Sequence, residues 1–190
     1  MAEDITLETR LALPDALRVL VTAYPRDSWE SHSEFHGLIS FWLERHMMFR
    51  KLMANMQSDA QAAADRKIDP KTYANRLSRF GGMFVNELHG HHQIEDHHYF
   101  PVLARTEPTI ARGFEILDKD HHAIDGHLNT FVKGANAILS RLSDPIAFGS
   151  SIGRFNDDLT RLEGFLDRHL LDEEELVVPV ILKHGSGALS

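Results

Sequence analysis

The stretch His91-His92-Gln93-Ile94-Glu95-Asp96-His97-His98-Tyr99-Phe100-Pro101 places four histidines and two carboxylates within eight residues, followed by apolar Val102 and Leu103. At its centre, His91-x-x-x-Glu95 has the spacing of one helical turn, so imidazole and carboxylate project from one face. His92-x-x-x-Asp96 has the same spacing one residue on and is the competing register. A second copy, His169-x-x-x-Glu173, follows 78 residues later, with Glu174 as the alternative carboxylate. Glu95 and Glu173 each precede a proline by six residues, Pro101 and Pro179. A histidine and a glutamate on the inner face of a helix are costly to bury without a counter-charge. The rest of the chain is therefore expected to bring the two copies together around a cation.

Working outward, apolar residues recur at three- and four-residue steps from about Trp29, through Ile39, Trp42, Leu43, Phe49 and Met53, with His46 on the same face. This predicts a first helix over about 29–67. Asp69-Pro70 reads as an N-cap with proline at the first helical position, opening a second helix to about Arg105 that contains the quoted stretch. Gly81-Gly82 inside it marks a bend or a close helix contact. Thr106-Glu107-Pro108 opens a third helix to about Leu142, with Leu117, His121, Ile124 and Leu128 on one face. Ser143-Asp144-Pro145 opens a fourth to about Lys183, whose inner face holds Phe155, Leu159, Leu162, Leu166, His169 and Glu173. No strand pattern is present. Four long helices with short connections predict an all-α, up-down-up-down antiparallel four-helix bundle over residues 29–184. Residues 1–28 read as an N-terminal extension that packs on the bundle, and residues 185–190 as a disordered tail.

The 190 residues carry a net charge of -8 and no basic block, which argues against nucleic acid and anionic membrane as partners. With no cysteine, disulfides, thiolate metal sites and cysteine nucleophiles are excluded. The acidic start, Met1-Ala2-Glu3-Asp4, lacks an apolar signal core, and no apolar run approaches a membrane span, so a cytoplasmic location is expected. The unusual count is histidine, at 13; it is the commonest metal ligand.

Antiparallel helices put two residues at one depth when both are equally far from the turn between them. His46 lies about 21 residues before Lys67, and the His91/Glu95 pair about 22 after Pro70. His121 lies 13 residues after Pro108 and 22 before Ser143, and His169 lies 24 after Pro145. At roughly 1.5 Å per residue, His46, His91/Glu95, His121 and His169/Glu173 share one level to within a turn. His36, ten residues from His46, cannot join them. Each half of the chain supplies a lone histidine and then a His-x-x-x-Glu, a pattern suited to two ions of iron, zinc or manganese. Asp125, one turn after His121, is a further candidate, either ligand or support to one. His98 lies on the His91 face and is open between pocket lining and surface. His97 and Asp96 are expected at the surface, as is most of the run Asp172-Glu173-Glu174-Glu175.

With this ordered set on the page, residues 30–183 resemble the hemerythrin-like, or His-His-Glu cation-binding, family. The resemblance rests on His46, on His91-x-x-x-Glu95 before Pro101, on His121 in Asp120-His121-His122, and on His169-x-x-x-Glu173 before Pro179. It implies a non-haem di-iron centre bridged by the two glutamates and by an oxo or hydroxo group, with a small diatomic molecule or peroxide as its partner. Family members bind or sense oxygen, handle nitric oxide or peroxide, or respond to iron. Where oxygen-carrying members have a second histidine on the third helix, this chain has Asp125. Fewer imidazoles and more carboxylate favour redox chemistry or sensing over simple oxygen carriage. A di-iron sensor or binder and a peroxide-consuming enzyme are the two leading readings. A ferritin-like oxidase, which uses paired E-x-x-H motifs, and a metal-free interaction bundle rank below them.

Overall fold

Asp69 and Asp144 start two of the long helices by the same device. The Asp69 side chain accepts the backbone N–H of Thr72 at 3.0 Å, and that of Asp144 accepts the N–H groups of Ile146 and Ala147, both at 3.0 Å. Each is followed by a proline at the first helical position, where a missing N–H costs nothing. The computed structural model describes residues 5–185 and 187. Its elements in chain order are α1 (Val19–Ala23), α2 (Leu38–Ala64), α3 (Pro70–Ile94), α4 (Phe100–Thr106), α5 (Ala111–Leu139) and α6 (Pro145–His184). Short 3-10 turns cover Asp15–Leu17, Arg26–Ser31 and Pro108–Ile110, and a π-helical turn covers Glu95–Tyr99. The fold is all-helical, with no strand among the described residues. No helix there is long and apolar enough to cross a membrane.

Two boundaries differ from the sequence expectation. The first long helix starts at Leu38 rather than near Trp29, because Arg26–Ser31 is a 3-10 turn and Gly37 takes a left-handed φ of 55°. The second helix is divided after Ile94. Pro101 has no N–H to give to the carbonyl four residues back. Just before it the ladder widens, and Phe100 donates to the carbonyl of Glu95, five residues back. Of the expected tail, only Gly185 and residue 187 lie within the described residues.

Residue contacts divide the chain into two compact units. The first comprises residues 1–47, 91–123 and 166–190, and the second residues 48–90 and 124–165. The second has an aromatic core. Phe49 meets Phe84 edge-on at 6.4 Å, Phe84 meets Phe131 at 6.0 Å, and Phe131 meets Phe155 at 5.4 Å between centroids. Glycines make room for these rings. A Cβ on Gly81 would lie 3.0 Å from Phe131, and one on Gly134 2.7 Å from Phe155, whereas Gly82 has nothing within 4 Å. Gly81 is thus the close-contact member of the Gly81-Gly82 pair.

The first unit is organised around the end of α6. Leu176, Val177, Val178, Val180, Ile181 and Leu182 are all buried. A helix apolar on every side must be covered on every side. Ile39 and Trp42 of α2, Phe100 and Leu103 of α4, and Phe114 and Leu117 of α5 belong to the same cluster. Leu13, Leu17, Leu20 and Trp29 of the N-terminal segment complete it. Each such side chain contributes roughly 1.5–3 kcal/mol on burial. Helix α5 approaches closely because Gly113 leaves space for Leu176, whose Cδ1 would lie 2.6 Å from a Cβ there.

Candidate metal centre

The first unit also buries His46 from α2, His92 from the last turn of α3, Glu95 from the π turn, His121 from α5, and His169 and Glu173 from α6, with His91 of α3 partly buried beside them. Their ligand atoms form two groups, His46/His91/Glu95/Glu173 and His92/His121/His169, each with all atoms within 4.8 Å of one another. The carboxylates face both groups. Glu95 Oε1 lies 2.9 Å from His91 Nε2, and Oε2 lies 3.6 Å from His121 Nε2. Glu173 Oε2 lies 3.4 Å from His46 Nε2 and 3.7 Å from His169 Nε2. The other oxygen of Glu173 accepts the indole N–H of Trp42 at 2.5 Å.

This donor set is poorly satisfied by protein alone. Both oxygens of Glu95, Oε2 of Glu173 and both ring nitrogens of His92 are buried without a hydrogen bond. Such orphaned groups cost about 1–3 kcal/mol each. The Nε2 atoms of His46 and His91 lie 3.2 Å apart, and those of His121 and His169 lie 3.1 Å apart. A neutral imidazole has one donor and one acceptor nitrogen, so where carboxylates hold the proton on Nδ1 of both rings, as at His121 and His169, the two Nε2 lone pairs face each other. Cations resolve this arrangement, and imidazole with carboxylate suits iron, zinc or manganese.

The protonation preferences show the same conflict. Burial, reinforced by the charge of Glu173, pushes the Glu95 carboxyl well above its ordinary range. Burial opposes the charge on Glu173 too, but His46, His91 and His169 outweigh it and hold that group low. Burial drops His91 to about 3 and His92 well below ordinary imidazole. Burial also acts against protonation of His46, yet Glu173 and Glu174 raise it. Burial thus favours the neutral forms of His91, His92 and Glu95, and a bound cation inverts the preference of the carboxyl.

Outside the ring of donors, three carboxylates fix three imidazoles. Nδ1 of His46 lies 2.9 Å from Glu174, Nδ1 of His121 lies 2.6 Å from Asp96, and Nδ1 of His169 lies 3.2 Å from Asp120. A carboxylate on Nδ1 holds the proton there and leaves Nε2 to face the ligand.

Six of the seven predicted site residues are therefore brought together: His46, His91, Glu95, His121, His169 and Glu173. Asp125 is not. Its carboxylate is about half exposed and lies 3.9 Å from His89, because the buried face of α5 runs through Ile124 and Leu128. The fifth imidazole comes instead from His92, which is 3% exposed and stacks on His121 at 3.9 Å. Asp96, expected at the surface, turns inward to His121, and Glu174 holds His46 rather than joining either donor group. His97 and His98 are exposed. The sequence signal for His92 and Asp96 was the doubled spacing itself, since both registers are used where a single helical face suggested a choice.

The Hemerythrin HHE cation binding domain matches residues 37–181. The chain belongs to this hemerythrin family. Neither the curated proteins nor the solved structures give a match. The family is one of cation-binding domains, and the His/Glu cluster of this chain is a group of side chains that could hold such an ion. In this hemerythrin domain the five imidazoles are His46, His91, His92, His121 and His169, so the shortfall inferred from Asp125 does not hold.

Proposed function

We propose that this protein holds two iron ions and binds or senses a small oxidant such as oxygen or nitric oxide. His46 and His91 would hold one ion and His92, His121 and His169 the other, with Glu95 and Glu173 shared between them. The single observation that supports this most is Glu95. Its two buried, unbonded oxygens face two separate histidine groups. Five imidazoles against two carboxylates suit a metal that can stay reduced. This reading takes the four helical segments around the site to be those of an up-down-up-down bundle.

When bound, the iron pair supplies redox chemistry and a position for the exchanging molecule. The chain's own residues do the rest. Trp42 donates to Glu173 and so fixes the carboxylate plane. Phe100 lies over His121 at 5.4 Å, and Trp42 meets His91 edge-on at 6.0 Å, so aromatic rings exclude water from the imidazoles. Glu174, Asp96 and Asp120 keep the Nδ1 protons in place.

The test is elemental analysis with an optical spectrum before and after azide. The expected result is about two irons per chain and charge-transfer bands that shift on azide addition. A protein that takes up no iron, or only zinc or manganese, overturns the assignment. Iron-loaded protein that turns over peroxide, and loses that turnover on Glu95→Ala, reassigns the centre to peroxide consumption.

A further inference from the structure

The run Asp172-Glu173-Glu174-Glu175 has the composition of a solvated helix face, yet its side chains are 0%, 0%, 4% and 13% exposed. Glu173 faces the donor cluster. The other three, together with buried Asp120, need cations if they are to stay charged out of water. Three arginines of the N-terminal segment meet that need. Arg10 grips Asp120 with both Nη atoms, places Nε 2.8 Å from Asp172, and gives a longer 3.3 Å contact to the carbonyl of Ile5. Arg18 Nε reaches Glu175 at 2.7 Å. Arg26 Nη1 reaches Glu174 at 2.7 Å. The side chain of Arg10 is 3% exposed, so its position is built into the fold.

Two of these arginines act one bond away from a ligand histidine. Asp120 holds Nδ1 of His169, and Glu174 holds Nδ1 of His46. The result is two relays, Arg10–Asp120–His169 and Arg26–Glu174–His46, one ending in each donor group. Arg18 reaches Glu175 and, at 3.9 Å, Asp15, so it secures the segment without touching a relay. All three arginines precede residue 37, where the family match begins.

We propose that Arg10 and Arg26 are positioning residues of the metal centre, and that the N-terminal segment thereby sets how firmly the metal is held and at what potential. The inference rests on the metal-centre reading above. Arginine keeps its charge at every working pH. Beside Asp120 and Glu174 it limits how strongly each carboxylate draws on its imidazole N–H, and it fixes the carboxylate in place. Without it the carboxylate swings or pulls harder on Nδ1. The imidazole then becomes a more basic but less firmly oriented donor. Removing a nearby positive charge also favours the oxidised metal, which lowers the reduction potential.

The experiment loads the full chain with ferrous iron and measures iron loss to a chelator, and separately the midpoint potential from the optical spectrum. Arg10→Met and Arg26→Met are each expected to release iron about ten-fold faster, the scale for outer partners of ligand histidines, and to lower the potential. Arg10→Lys is expected to restore the potential more fully than the release rate, because charge returns without the two-pronged grip. Arg18→Met is expected to match wild type in both. Arg26, at 46% exposed, can be changed without opening the core, so a folding failure of Arg10→Met does not stop the test. Wild-type release rates and potential in Arg26→Met and Arg10→Lys overturn the proposal while the metal centre stands. So does an effect of Arg18→Met as large as that of Arg26→Met, which would mean that any loosening of the segment suffices. If wild-type protein takes up no iron, the metal-centre reading fails and the proposal falls with it.

Discussion

The two units of the chain use the same helices for opposite purposes. In the second unit α2, α3, α5 and α6 enclose Phe49, Phe84, Phe131 and Phe155, and ion pairs such as Lys67–Asp65 lie toward the surface. In the first unit they enclose five imidazoles and buried carboxylates, several without a hydrogen bond. The second unit is self-sufficient in the ordinary way, by apolar packing. The first tolerates a polar interior because one end of α6 is wrapped in apolar side chains and because arginines from the N-terminal segment neutralise the outer carboxylates. A helix can thus be stabilised along one part of its length and functional along another.

The sharpest way to break this comparison is Glu95→Gln. Burial, with the charge of Glu173, pushes the carboxyl of Glu95 well above its ordinary range and so favours its neutral form in metal-free protein. An isosteric amide should then be nearly silent without metal, within about 1 kcal/mol. With metal offered, the same change removes a shared ligand, and metal content should fall by at least half. Thermal melting with and without iron, alongside elemental analysis, measures both. Equal destabilisation in the two states would show that Glu95 is a structural group. The complementary variant is Phe155→Ala in the second unit. Phe155 is 1% exposed and packs over Gly134, which has no side chain to fill the void. A loss of about 3–5 kcal/mol is expected in denaturant melts, with metal content per folded chain unchanged. A variant that folds but loses metal would show that the aromatic core also sets the donor geometry.

Much of this division was legible in the chain, for identifiable reasons. Helix starts at Asp69-Pro70 and Asp144-Pro145 were readable because capping is local chemistry. The shared depth of His46, His91, His121 and His169 was readable because helical rise converts sequence distance into length. What escaped is what depends on neighbours distant in sequence. His92 and Asp96 looked like the wrong register because a regular helix offers one face, and the π turn beside them comes with Pro101. Asp125 has the right spacing from His121, but the burial of Ile124 and Leu128 turns it away. The acidic run on α6 looked solvated because three of its arginine partners, Arg10, Arg18 and Arg26, lie about 150 residues earlier in the chain. Glu174 looked like a rival ligand because spacing cannot tell a residue that binds from one that holds the binder.

A smaller prediction separates the two kinds of carboxylate within the first unit. Glu107, in the turn after α4, accepts hydrogen bonds from Lys183, from the hydroxyl of Thr109 at 2.5 Å and from His184 at 3.0 Å. Those donors, Lys183 foremost, hold its pKa down at about 2 against an ordinary 4.5. A depressed carboxylate contributes stability that is fully present above the unfolded value and is lost as the pH falls toward the folded one. The contribution of Glu107 is therefore complete at neutral pH and fades between about 4.5 and 2. Glu107→Gln should cost about 1 kcal/mol at pH 7 and flatten the acid dependence over that window. Hydrogen exchange in metal-free protein reads this directly. Amides at the end of α6 should lose protection in the variant at neutral pH and converge with wild type on acidification, while amides of α3 in the second unit stay unchanged. A wild-type slope in the variant would mean that the acid sensitivity of the first unit arises at its metal-facing carboxylates instead. Its acid lability and its metal binding would then be one property.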